Sequence, residues 1–308
     1  MKYIDIMNGP QNASAIIQGC MRMPSLSKEE AAKVIKTAHE RGINYFDHAT
    51  CYGMGEAETR FAEAFPLTGI KREKIFIQSK CGICPERSEF DWTKENIIAS
   101  VDGILGRLKC EYIDTLLLHR PDLLFDPEEV AEAFDELEEA GKVCRFGVSN
   151  LMPMQIELLK KYVKQPLVIN QVQLSLEQSQ LIDQSLYMNN KTTDMSINRD
   201  GSALDYCRLN DITIQAWSPL QIGMFGGTFI DNPDYPELNK VLAEIADREH
   251  VSKTAIAIAW ILRHPAKMQA IIGTMNVDHI NNACDATKVE LSHHDWYALY
   301  LAAGKFLP

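Results

Sequence analysis

The sequence is short of basic residues: Lys and Arg number 31 against 42 Asp and Glu, a formal net charge of −11. Such a surface repels nucleic acid and anionic lipid, so neither is expected as a partner, although a basic pocket can sit on an acidic surface. No apolar run is long enough to cross a bilayer. The opening residues, MKYIDIMNGPQNASAIIQG, hold no extended apolar segment of the secretory kind, and the chain is expected to be a mature cytoplasmic protein. Paired zinc-ligand motifs are also missing. The eight cysteines are scattered, and the single C-x-x-C, Cys81 to Cys84, has neither a second pair nor histidines at finger spacing. They read as reduced thiols. Neither H-E-x-x-H nor an H-x-H after the first strand-like run occurs, which argues against a metal-dependent barrel hydrolase.

What is present is apolar material in a regular layout. Apolar residues make up 46% of the 308, enough for a large core. Length alone suggests two domains, but α/β barrels of this size fold as one. Strand-like runs fall at 15–19, 43–47, 75–80, 115–118, 144–148, 167–171, 212–216 and 270–272. Between them lie helix-like stretches, opened by a Ser27-Lys-Glu-Glu capping box, by Thr93 and by Pro127 and Pro153 at first turns. The run at 115–118 is apolar without alternation, as a strand covered on both faces by helices must be. No G-x-G-x-x-G follows the first run, as a doubly wound sheet would want. The expectation is an α/β fold: one parallel (β/α)8 TIM barrel, with a closing helix at 292–302, spanning 1–308 as a single domain. The pattern stops at 176–201, a polar stretch of the kind that forms a lid, a binding loop or a disordered segment. A Gly-rich loop, GMFGGTF, follows the seventh strand.

Active sites of such barrels lie at the C-terminal ends of the strands. Asp47 and Tyr52 follow the second run, Lys80 ends the third and His119 follows the fourth. Singly each has an ordinary reading: Asp47 as a cap, Lys80 as a solvated strand end, Tyr52 and His119 as rim residues. Together they form a coherent acid. A phenol ionises near pH 10, too weak an acid for fast donation at neutral pH. An ammonium beside it stabilises phenolate and a carboxylate keeps that ammonium charged, so Asp47, Lys80 and Tyr52 make a general acid. His119 can donate a hydrogen bond to a developing oxyanion.

The same residues carry a resemblance. FDHATCYG, residues 46–53, resembles the Phe-Asp-x-Ala-x-x-Tyr-Gly signature of the aldo-keto reductases. SKCGI around Lys80, YIDTLLLHRPD around His119 and GKVCRFGVSN ending at Asn150 follow in that family's order, and the likeness runs from about Gly19 to the last helix. It implies a catalytic tetrad of Asp47, Tyr52, Lys80 and His119, with hydride from a nicotinamide cofactor reducing a small-molecule aldehyde or ketone. It further implies cofactor contacts: Gly19, Cys20 and Met21 near the ribose, with Asp47; Ser149, Asn150 and Gln171 on the carboxamide; and Trp217 stacked on the ring. Ser218, Pro219 and Leu220 fall on the diphosphate. Ile272, Gly273, Thr274, Asn276, His279 and Asn282 fall at the adenosine phosphate, where Thr274 and helix N–H groups would bind it.

Two departures bear on the cofactor. His279 stands where the family has an arginine for the 2′-phosphate, and Gly273 where it has a lysine. The expected cofactor is NADPH, with NADH possible and the preference modest, growing toward about pH 6 as an imidazole gains charge. His48 in place of the usual threonine resembles a bacterial branch of uncharacterised oxidoreductases. The alternative on the same fold is a non-catalytic, cofactor-sensing regulatory subunit, as potassium-channel β subunits resemble. No residue pattern assigns the physiological substrate or the oligomeric state.

Overall fold

The runs that read as strands are buried on both faces because their side chains alternate between two apolar environments. Ile16, Phe46, Ile77, Leu116, Phe146, Val148, Ile214 and Ala270 join the large cluster shared with the helices. Ile17, Tyr45, Leu117, Ile169 and Ile271 form a second cluster inside the sheet. Burial on both faces leaves no solvent-facing stripe, which is why the runs show little alternation in the sequence.

In the computed structural model, which describes residues 1–186, 202–223 and 226–307, eight parallel strands close into a barrel. They are β1 (Ile16–Gly19), β2 (Tyr45–Asp47), β3 (Phe76–Cys81), β4 (Thr115–Leu118), β5 (Phe146–Ser149), β6 (Leu167–Gln173), β7 (Thr213–Trp217) and β8 (Gln269–Ile272). Each pairs with its sequence neighbours, and β8 returns to β1 through the register Ile271↔Ile17. The expected (β/α)8 barrel is the fold, with boundaries moved by one or two residues.

Helices start where the capping chemistry placed them. Ser27 accepts from the Glu30 amide and the Glu30 carboxylate reaches back to Ser27, a complete capping box opening Lys28–Glu40. Thr93 caps Lys94–Leu108, and Asp126 caps Pro127–Glu139 with its proline in the first turn. Ser292 caps the last helix, His293–Ala302.

Three features were not anticipated. A short antiparallel ribbon, Tyr3–Ile4 with Ala13–Ser14, precedes the barrel. Its connecting residue Ile6 is fully buried against the interior cluster, so the ribbon seals the barrel beneath the site. A second ribbon, Ile83–Cys84 with Glu89–Phe90, rises from the end of β3. Strands of two residues are too short to show a period. The polar stretch from 176 also begins with a helix, Gln180–Leu186. Its inward face includes Asp183, held by Ser179 and by the Tyr300 hydroxyl at 2.7 Å, and that buried carboxylate hid the helical period. The remainder of that expected loop, 187–201, and residues 224 and 225 of the Gly-rich loop lie outside the described residues.

Candidate active site

The barrel interior is polar at the level where the site begins. The amide of Gln78 donates to Asp47 Oδ1 at 2.6 Å and to Gln215 Oε1 at 2.9 Å, and that of Gln171 donates to the same two acceptors at 3.1 Å each. Gln215 in turn donates to Gln269 at 3.0 Å. Four glutamines from four strands thus form a floor on which Asp47 rests. A buried network with its partners satisfied fixes geometry, and this one fixes the Asp47 carboxylate.

On that floor sits Lys80. Its side chain has no solvent exposure, and Nζ donates to Asp47 Oδ2 at 2.7 Å, to the His48 carbonyl at 2.8 Å and to the Tyr52 hydroxyl at 3.2 Å. Three donors meet three acceptors, which is all an ammonium can use. Burial pushes Lys80 toward the neutral form, but the Asp47 carboxylate and the Tyr52 phenol outweigh it and hold its pKa above the ordinary value. Burial acts on Tyr52 in the opposite sense from the sequence expectation. Desolvation outweighs the Lys80 ammonium, and the phenol is pushed up to about 12 rather than down. It therefore rests fully protonated.

His119 stands at 6.0 Å from the Tyr52 ring, edge to face. Burial, then Lys80 and Arg120, hold its pKa well below the usual range, so the ring is neutral. Its Nδ1 lies 3.6 Å from Cys51 Sγ. Burial raises the Cys51 thiol, which keeps its proton. The tautomer with its hydrogen on Nε2 accepts from that thiol at Nδ1 and leaves Nε2–H able to donate to an oxygen in the cleft. Next door, His48 is fully buried with no hydrogen-bond partner on either ring nitrogen among the described residues, packed edge-on against Phe61 at 4.8 Å and lowered to about 3, chiefly by burial.

A cleft of about 1620 Å³ opens above these groups and runs across the C-terminal rim. Asp47, Tyr52 and His119 line one end, and Lys80 lies beneath. Of the expected cofactor residues, Gly19, Met21, Ser149, Asn150, Gln171, Trp217, Ser218, Pro219, Leu220, Ile272, Gly273, Thr274, Asn276, His279 and Asn282 all line it. Cys20 does not. Its thiol is fully buried 3.7 Å from the Gln18 carbonyl, and its amide is bonded to the Asp47 carbonyl. Gly19 is needed for packing, since a Cβ there would lie 3.1 Å from Ile271 and from the Ile272 carbonyl.

Ser149, Asn150 and Trp217 form one unit. Asn150, in the left-handed region at φ 61°, accepts from Trp217 Nε1 at 3.1 Å and donates to Ser149 Oγ at 2.8 Å. Ser149 donates to the Gln171 carbonyl at 2.8 Å. The free capacity left here is acceptor capacity, on Asn150 Oδ1 and Gln171 Oε1. At the far end the expected helix-start site is partly spent. Asn276 Oδ1 already accepts from the Asp278 and His279 amides, and Thr274 Oγ1 from the Asn276 amide.

Several lining residues escaped the sequence reading. Ile83 and Phe90 arrive on the short ribbon, Arg120 directly follows His119, and Lys253 pairs with Asp231 across the cleft. Arg22 is the most telling. Its Nη1 donates to the Gly273 carbonyl at 2.9 Å, and a Cβ on Gly273 would lie 2.8 Å from that same nitrogen. A guanidinium from the loop after β1 thus fills the space that a side chain at position 273 would occupy.

Comparison with known proteins decides the family. The aldo/keto reductase family profile matches residues 15–300. The chain belongs to the aldo/keto reductase family. Members of this family reduce carbonyl groups to alcohols. The chain is 34% identical over 304 residues to a 6-dehydroglucose reductase of Agrobacterium fabrum, covering 95% of each chain. It is 33% identical to the uncharacterized oxidoreductase YcsN of Bacillus subtilis over 94% of each. The structure superposes on a thermostable aldo-keto reductase, crystallised with the inhibitor epalrestat, with a TM-score of 0.79 and 25% identity over 98% of this chain and 100% of that one.

Proposed function

We propose that this protein reduces an aldehyde or ketone with NADPH, Tyr52 acting as the general acid. One observation carries the reading: a fully buried Lys80 bridging Asp47 and the Tyr52 hydroxyl at the floor of a cleft of about 1620 Å³. When bound, the dihydronicotinamide supplies a hydride to the carbonyl carbon. Trp217 would support its ring, with Asn150 Oδ1 and Gln171 Oε1 accepting from the carboxamide NH2. Ser218 to Leu220 and the 272–282 segment would hold the phosphates and adenosine, with the Arg22 guanidinium as the cation at that end and His279 beside it.

The chain's own part is orientation and proton transfer. His119 Nε2–H donates to the carbonyl oxygen and so aligns it. As negative charge develops there, the Tyr52 O–H bond breaks and its proton passes to that oxygen. A phenol near 12 is a weak acid in water, but it is stronger than an alcohol, the conjugate acid of the alkoxide. Transfer is therefore downhill once the hydride has moved. The phenolate left behind faces the Lys80 ammonium, and solvent restores its proton.

The test is a panel of carbonyl compounds, including a sugar aldehyde of the kind in the Agrobacterium relative's name, followed by NADPH and NADH absorbance. Turnover supports the reading. Tight cofactor binding with no turnover on any compound supports the regulatory alternative instead.

A further inference from the structure

We propose that Arg120 is a binding subsite for an oxyanion carried by the substrate, so that the carbonyl compounds this protein prefers bear a carboxylate or a phosphate. The inference rests on the reading of the site as a carbonyl reductase and adds its substrate class.

The starting point is an unpaired charge. Arg120 is half-buried, lines the cleft beside His119, and makes no hydrogen bond or ion pair with any carboxylate among the described residues. Its guanidinium carbon lies 5.6 Å from the centre of the Trp217 ring. Other cleft cations are engaged: Lys253 with Asp231, Arg22 with the Gly273 carbonyl, Lys80 with Asp47. Long charged side chains are seldom withdrawn from water without a partner, because the lost hydration is not recovered. Burial indeed lowers the Arg120 pKa from its usual value, though a guanidinium remains charged. Arg120 lines the cleft and its guanidinium has no hydrogen-bond acceptor among the described residues, and its planar fork of donors matches a carboxylate or phosphate two bonds at a time.

Position makes the vacancy specific. Arg120 is the residue after His119, and the Tyr52 phenol is close enough to be felt by its charge. An anion held there is attached to a carbonyl group lying over Tyr52 and His119. Arg120 is itself half-buried, and a charge pair made at a partly desolvated group is worth more than one in open water. A neutral sugar aldehyde offers only hydroxyl oxygens, and neutral acceptors bond a charged donor less strongly.

The experiment uses a matched pair: 4-formylbenzoate and its methyl ester. The expected ratio of kcat/KM, acid over ester, is on the order of 10- to 100-fold, the size of one charge-assisted hydrogen-bonded pair. Arg120→Met should bring that ratio near one, and Arg120→Lys should leave an intermediate value, since an ammonium keeps the charge but loses the fork. 4-Formylphenyl phosphate separates the two oxyanions: a ratio over its neutral phenol parent exceeding that of the benzoate pair assigns phosphate. Calorimetric titration of the NADPH-bound protein with 4-(hydroxymethyl)benzoate and its methyl ester needs no turnover. Tighter binding of the acid, lost in Arg120→Met, supports the subsite even if neither aldehyde is reduced, in which case the reductase reading alone falls. Equal binding and equal kcat/KM for acid and ester overturn the subsite while leaving the reductase reading intact. So does a loss in Arg120→Met that is the same for both and accompanied by weaker cofactor binding, which would make Arg120 a support for Trp217 only.

Discussion

Lys80 Nζ lies 3.2 Å from the Tyr52 hydroxyl oxygen, in a position solvent does not reach. The phenol's proton therefore has an ammonium behind it and the cleft in front. Lys80→Met should reduce kcat by about 10²–10⁴-fold, the usual scale of general acid–base catalysis. It also leaves the Asp47 carboxylate buried with only glutamine amides, so a lower melting temperature should accompany the loss. Asp47→Asn should be milder, because an amide oxygen can still hold the ammonium. Steady-state kinetics on variants shown to be folded by circular dichroism check the order; equal losses for the two would separate Asp47 from the acid.

The pH dependence follows from the directions of the shifts. Reduction requires protonated Tyr52, whose pKa is raised to about 12, and neutral His119, whose pKa is lowered. Neither group changes state between about pH 7 and 9, so kcat for reduction should be flat there. Alcohol oxidation needs the phenolate, so its rate should rise about tenfold per pH unit over the same range. A bell-shaped reduction profile centred near neutrality would show that another group supplies the proton.

Cofactor choice should depend on Arg22. Its guanidinium occupies the space of a side chain at 273, the position where the family it resembles carries a lysine and this chain has glycine. Arg22→Ala should raise the Kd for NADPH about tenfold more than that for NADH, the low end for a charged hydrogen bond because the residue is exposed. His279→Ala should narrow the preference less. Fluorescence titration of both cofactors measures this, and an unchanged ratio in Arg22→Ala would remove it from the phosphate site.

His48 should make the fold acid-sensitive. Its folded pKa is lowered to about 3 by burial, against an ordinary value of 6.5. Below pH 6.5 the unfolded chain takes up a proton the native state refuses, so stability falls as pH drops, by about 1.4 kcal/mol per unit at most. His48→Leu should flatten urea midpoints between pH 6.5 and 4; an unchanged slope assigns the acid sensitivity elsewhere.

Much of this was readable in the chain, for a physical reason. Barrel strands end where apolar runs meet polar residues, so Asp47, Lys80, His119, Ser149 and Trp217 marked the rim in order. What the sequence hid depends on distance in space. The glutamine floor comes from Gln78, Gln171, Gln215 and Gln269 on four separated strands. Arg22 and Gly273 meet across 251 positions. The sign of the Tyr52 shift depended on how deeply the phenol is buried, which no motif states.

The most direct test of the account is single-turnover reduction by Tyr52→Phe, with Kd for NADPH measured on the same sample. The ring is kept and only the hydroxyl is lost. The expected result is a single-turnover rate constant lower by about 10²–10⁴-fold with cofactor affinity within about a factor of three. Reduction at near the unsubstituted rate would contradict Tyr52 as the proton donor.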